Sequence, residues 1–150
     1  MRNAPHKARR RPPFFRPVTM RAREDGWSEL RQCGFLAALY LTGSVTAAAR
    51  SVGMSRASAY RLRERAGAED FAFAWDRVLS PPGSGKCARP RCDWRKVTNV
   101  ELVERLEAGL VQPVIYRGRM TAIRRKPEKT ALSHLLRRCD AALKTNGASR

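Results

Sequence analysis

The chain has 150 residues, 31 of them Lys or Arg against 13 Asp or Glu, giving a net charge of +18 and a pI near 11.3. That length fits one domain, or one small domain with appendages, able to bury roughly 70% of its unfolded surface. A mean hydropathy of −0.51 and a longest apolar run of seven residues, 35–41, exclude a membrane span, and the excess charge calls for a polyanionic partner, nucleic acid ahead of an anionic membrane surface.

The charge is uneven along the chain. Residues 1–26 hold eight basic and two acidic residues, and residues 80–97 hold five and one. Residues 98–150 hold eleven and five, whereas residues 27–79 are nearly balanced at seven and five. The balanced block, with its helical periodicity, is the expected folded unit. Residues 1–26, with four prolines and the Arg9-Arg10-Arg11 run, read as a disordered basic arm, in which Phe14 and Phe15 offer local anchors. The segment has no apolar stretch for a secretory signal, and its prolines break the amphipathic helix of a mitochondrial one.

A first helix starts at Ser28, with Trp27 stapling its first turn, and carries Leu30, Cys33, Leu36 and Leu39/Tyr40 inward. Thr42-Gly43 ends it. Ser44 caps a short second helix over 45–52, which Gly53 stops. Ser55 caps a third over 56–65, with Ala59 and Leu62 inward. A fourth, over 68–79, carries Phe71, Trp75, Val78 and Leu79 on its apolar side. Residues 80–97 read as a basic linker. Thr98 to Glu101 has capping-box form and opens a fifth helix ending near Gly109. Two short strands, 111–116 and 120–124, flank an Arg117-Gly118 turn, Pro113 confining the first to an edge. A last helix over 130–143 carries Leu132, Leu135, Leu136 and Leu143. The fold class is mainly α, a helix-turn-helix bundle followed by a small helix–hairpin–helix segment over 98–150.

Cysteines 33, 87, 92 and 139 are read as free thiols of a reducing compartment, the cytoplasm, with Cys33 and Cys139 as buried filler. Cys87 and Cys92 form a C-x4-C pair, but no second pair follows at zinc-ribbon spacing. Gly83-Ser84-Gly85-Lys86 lacks the first Gly, the final Ser or Thr and the preceding strand of a phosphate-binding loop. His6 and His134 have no catalytic partners at useful spacing, and Glu101, Glu104 and Glu107 form a solvated stripe. No enzyme, cofactor or metal is expected.

Function is concentrated in residues 45–64. Two short helices joined by a Gly-containing turn are the geometry of a DNA-binding helix-turn-helix. Ala48 and Ala49 are small enough for the third helix to cross above them, while Val52, Met54, Ala59 and Leu62 fill the wedge. Gly53 supplies the positive φ of the turn. Ser55 leaves the amides of the third helix facing outward, a seat for phosphate.

The run Gly53-Met54-Ser55-Arg56-Ala57-Ser58-Ala59-Tyr60-Arg61-Leu62 resembles the helix-turn-helix of resolvase/invertase recombinases and tetracycline-repressor-type regulators, which are homeodomain-like domains. The wider stretch, from Gly43 through Trp75-Asp76, is similar to small helix-turn-helix proteins of alphaproteobacteria. The resemblance implies a bacterial transcriptional regulator bound to double-stranded DNA, with Ser55, Arg56, Ser58, Tyr60 and Arg61 touching DNA. Arg56 and Arg61 would reach bases or phosphate, and the Tyr60 hydroxyl a phosphate. Ala59 departs from the family's larger Leu or Val, so packing there is looser or supplied by Trp75. Arg9, Arg10 and Arg11 are a second candidate contact, mainly with phosphate. A homo-oligomer is expected to assemble through the hairpin or last helix. The alternatives are a DNA-packaging protein resembling terminase small subunits and a nonspecific polyanion- or RNA-binding protein.

Overall fold

The computed structural model describes residues 9–20, 26–85 and 88–148; His6 and the rest of 1–8, Lys86 and Cys87 lie outside them. Among the described residues the chain is mainly α, as expected, with one antiparallel hairpin. In chain order come α1 (Glu29–Thr42), α2 (Val45–Ser51), α3 (Arg56–Arg63), α4 (Glu69–Leu79), α5 (Asn99–Ala108), β1 (Leu110–Tyr116), β2 (Arg119–Lys126) and α6 (Lys129–Ala148). No helix among them is long and apolar enough to cross a membrane. The chain forms two compact units: Met1–Pro90 with Val111–Arg125, and Arg91–Leu110 with Lys126–Arg150.

In the first unit, local chemistry sets the helix ends. Ser28 Oγ accepts from the Arg31 amide at 3.2 Å to start α1, and Gly43, at φ 71°, returns its N–H to Leu39 O at 2.8 Å to end it. Any side chain at Gly43 would also collide with Arg9, whose Nη1 lies 2.5 Å from the place a Cβ would take. Cys33, Phe35, Leu36, Leu39 and Tyr40 face inward from α1. Leu30, expected among them, is 60% exposed. Its inward place in the first turn belongs instead to Gln32, which is fully enclosed and bonded on both sides. Its Oε1 accepts from Val18 N at 2.8 Å, and its Nε2 donates to Val18 O at 2.9 Å and Trp27 O at 3.0 Å. From α4, Phe71, Ala74, Trp75 and Val78 meet α1, the Phe35 ring lying 4.9 Å from Trp75 and 6.0 Å from Phe71. Leu79, at the end of α4, is exposed rather than buried.

Residues 9–20 are not the disordered arm expected of the whole N-terminal segment. Phe15 is wholly buried, 5.9 Å from the Phe71 ring, and its N–H and C=O both bond Val111 at 2.9 Å. Pro113, on the same edge of β1, has no N–H with which to continue that ladder. Farther along the edge, Ile115 O accepts from Arg11 Nη1 at 3.1 Å. An apolar anchor and a guanidinium therefore hold a segment whose proline and charge content reads as disorder. The hairpin is likewise part of this unit rather than of the C-terminal segment: Val111 and Ile115 are buried in its core, with Met120 and Ile123 packed against it.

The second unit joins α5, α6 and a 3-10 turn, Trp94–Lys96, so residues 91–97 are not merely linker. Thr98 and Glu101 make the expected capping box. Trp94 stacks on His134 at 4.3 Å with 13° between the rings, and the Arg105 guanidinium lies 4.8 Å from the indole centroid. Arg138 donates to Trp94 O at 2.7 Å and Asn99 Oδ1 at 2.8 Å. Leu102 and Ala131 are buried, whereas Leu132, Leu136, Leu143 and Cys139 are exposed. Cys139 is thus not buried filler: α6 continues well past the turns that carry Ala131 and Leu135, and all of 139–147 faces solvent.

Candidate nucleic-acid interface

The helix-turn-helix is built as its small residues require. Ser44 Oγ accepts from Ala47 N at 3.2 Å to cap α2, whose Ala48 and Ala49 are completely enclosed. The chain then turns through Gly53, at φ 76°, and Met54 N bonds back to Ala49 O at 2.9 Å. Ser55 Oγ accepts from Ser58 N at 3.0 Å and opens α3. Ala59 and Leu62, three residues apart on the inner face, are buried. The helix thereby turns Arg56, Ala57, Tyr60, Arg61 and Glu64 outward.

The residues expected to touch DNA divide into two groups. Arg56 and Arg61 are exposed on the outer face of α3, and Arg61 has no hydrogen-bond or ion-pair partner among the described residues. Arg56 is oriented by an aromatic stack. Its guanidinium carbon lies 5.3 Å from the Tyr60 ring centroid, and that ring lies 5.1 Å from buried Trp75. Tyr60 therefore acts first as a pillar for Arg56, its remaining surface facing solvent. Ser55 stays at the surface, its oxygen used for capping and its hydroxyl proton open to an acceptor.

Ser58 belongs to the other group. Its Oγ accepts from the Trp27 indole Nε1 at 2.8 Å, tying α3 to the entrance of α1. Arg63 is also committed inward, paired with both oxygens of Asp76 at 3.0 and 3.3 Å and lying 4.8 Å from the Trp75 centroid. Trp75, bearing on both Tyr60 and Arg63, supplies contact that the small Ala59 does not.

Arg9, Arg10 and Arg11 do not form a free arginine cluster. Arg9 donates to Tyr40 O at 2.7 Å and Leu41 O at 3.2 Å, satisfying carbonyls at the end of α1. Arg10 reaches Gly85 O at 2.5 Å, and Arg11 takes Ile115 O. Their guanidinium groups serve the fold. Sequence reasoning passed over two exposed basic residues, Arg50 at the end of α2 and Arg65 just past α3; their places at the ends of the two helices were the available signal. Among the described residues, no three His, Cys, Asp or Glu side chains are grouped to hold a metal ion. Compared with protein-family models, curated proteins and solved structures, the chain matches none.

Proposed function

We propose that the protein binds double-stranded DNA as a bacterial transcriptional regulator, laying α3 in the major groove. The observation that carries this reading is the outward pair Arg56 and Arg61 on a capped helix whose inner face, Ala59 and Leu62, is sealed against the bundle. A helix with side chains is about 10–12 Å across, and the major groove of B-form DNA is about 12 Å wide. A guanidinium forks onto the O6 and N7 of guanine, which is worth about 1–3 kcal/mol of discrimination against the wrong base. The stack under Arg56 reduces the freedom that side chain would lose on binding. Glu64, outward on the same face, would be repelled by phosphate and can accept from a cytosine amino group, so it favours reading over mere holding.

The charge distribution supports the same division of labour. Residues 27–79 carry only two net positive charges of the chain's +18, so nonspecific attraction belongs mainly to the flanks. Selection from random duplex DNA at near-physiological salt tests the proposal. Convergence on a motif is the expected result, a palindrome indicating binding as a dimer. Uniform retention of all sequences would reduce the protein to a charge-driven polyanion binder.

A further inference from the structure

We infer that the β1–β2 hairpin is a second DNA contact, with Arg117 and Arg119 at its tip gripping backbone phosphate beside the groove entered by α3. The inference rests on the DNA-binding reading above and assigns it a surface outside the helix-turn-helix.

Packing joins the hairpin to the turn that launches α3. A Cβ built on Gly34 of α1 would lie 3.0 Å from Val52 Cγ1 and 4.0 Å from Met120 Cε. Val52 ends α2 and begins the turn; Met120 is the second residue of β2, next to the tip. Both therefore lie against one glycine of α1; a Cβ there would crowd Val52 and meet Met120 at ordinary contact distance. At the other end the hairpin is anchored by the Phe15–Val111 bridge and by an ion pair between Arg125 and Glu29. The tip is held by the same bundle that holds α3.

Its chemistry suits phosphate. Tyr116, Arg117, Gly118 and Arg119 are all exposed, Tyr116 by 61%. Arg117 sits at φ 49° and Gly118 at φ 79°, the left-handed pair of a two-residue hairpin turn. The first of those positions favours Asn, Asp or Gly, and an arginine there costs stability. The described contact of that guanidinium is the ring of its neighbour Tyr116, 5.4 Å away, and Arg119 makes no hydrogen bond or ion pair through its side chain among the described residues. Two cations are thus presented at the tip, Arg117 at a turn position that disfavours it and Arg119 at the start of β2, alongside a phenol able to donate to the same backbone.

The test is the salt dependence of binding to a duplex recovered by selection. Arg117→Gly combined with Arg119→Ala removes both charges and relieves the left-handed strain, so the thermal midpoint should equal or exceed that of the parent. The slope of log affinity against log salt should become shallower by about 0.9 for each phosphate that the variant leaves unneutralised. Preference for the selected duplex over a scrambled one should be kept. The Arg117→Lys/Arg119→Lys pair should retain the parental slope. An unchanged slope in the neutral variant would overturn the inference, leaving the arginines as protection for an open strand edge, while the parent's binding would keep the DNA reading intact. A shallower slope with a lowered midpoint, unrepaired by the lysine pair, would equally overturn it by assigning the arginines to the fold. Failure of the parent to bind any duplex would remove the reading on which it rests.

Discussion

In the first unit, the arm, four helices and the hairpin close over a core that includes Phe15, Phe35, Leu36, Phe71 and Trp75. In the second, α5 and α6 bury Leu102 and Ala131 but leave Leu132, Leu136 and Leu143 in solvent. The arginines follow the same contrast. Where the core is large, Arg9, Arg11, Arg63 and Arg89 are committed to carbonyls and carboxylates, so those left outward, among them Arg56 and Arg61 on α3, Arg50 and Arg65 at its flanks and Arg117 and Arg119 on the hairpin, stand on a rigid base. Where the core is slight, Arg105 and Arg138 assemble the unit themselves by lying on Trp94 or bonding its carbonyl. A basic composition thus conceals two different uses of arginine.

The contrast can be broken first at the core. Phe35→Ala, removing a ring packed against Trp27, Phe71 and Trp75, should cost about 3–5 kcal/mol in urea unfolding. A destabilisation below about 1 kcal/mol would mean the first unit is no better packed than the second. Gln32→Leu should cost about 1–3 kcal/mol, because Val18 N–H and the carbonyls of Val18 and Trp27 would be left without their buried partner. Near-parental stability would show that the Gln32 tie to Val18 contributes nothing to the fold. Arg9→Ala and Ser58→Ala should each cost about 1 kcal/mol, with the salt slope of DNA binding unchanged. A shallower slope in Arg9→Ala would restore the arm as a phosphate contact.

Cys33 sharpens the comparison through pH. Burial pushes its thiol up from 9.0 to about 12; nearby Glu29 adds to the rise and Arg125 opposes it. The native state holds that proton after the unfolded chain has released it, so this contribution is present below pH 9 and lost as pH rises from 9 towards 12. Alkylation of the native protein near pH 8 should modify exposed Cys92 and Cys139 and spare Cys33. Comparable labelling of Cys33 would show that the core opens readily. The smallest effect belongs to α6: Leu143→Ala, at a site 69% exposed, should alter stability by no more than about 0.5 kcal/mol.

The sequence was most readable where local chemistry decides the structure. Ser28, Ser44, Ser55 and Thr98 cap the helices expected of them, and Gly43 and Gly53 end or turn the chain as their φ values allow. It was least readable where distant residues decide. Nothing near Phe15 in sequence names Val111 as its partner, so the arm looked free. Ser58 falls on α3 among the expected DNA contacts by pattern, yet Trp27, 31 positions away, claims its hydroxyl. The hairpin reads as part of a C-terminal segment because its ties to the bundle, the Phe15–Val111 bridge and buried Val111 and Ile115, join residues about 100 positions apart and leave no periodic signal. Leu132, Leu136 and Leu143 read as a core stripe by spacing, which cannot say whether a second surface is there to meet it.

The central claim is that Arg56 and Arg61 read bases while charge elsewhere holds the backbone. Its most direct test is the ratio of affinities for a selected and a scrambled duplex at one near-physiological salt concentration, in the parent and in Arg56→Ala/Arg61→Ala. The account predicts that the ratio falls by about tenfold or more, with binding to the scrambled duplex reduced far less. Equal weakening on both duplexes, leaving the ratio intact, would contradict it.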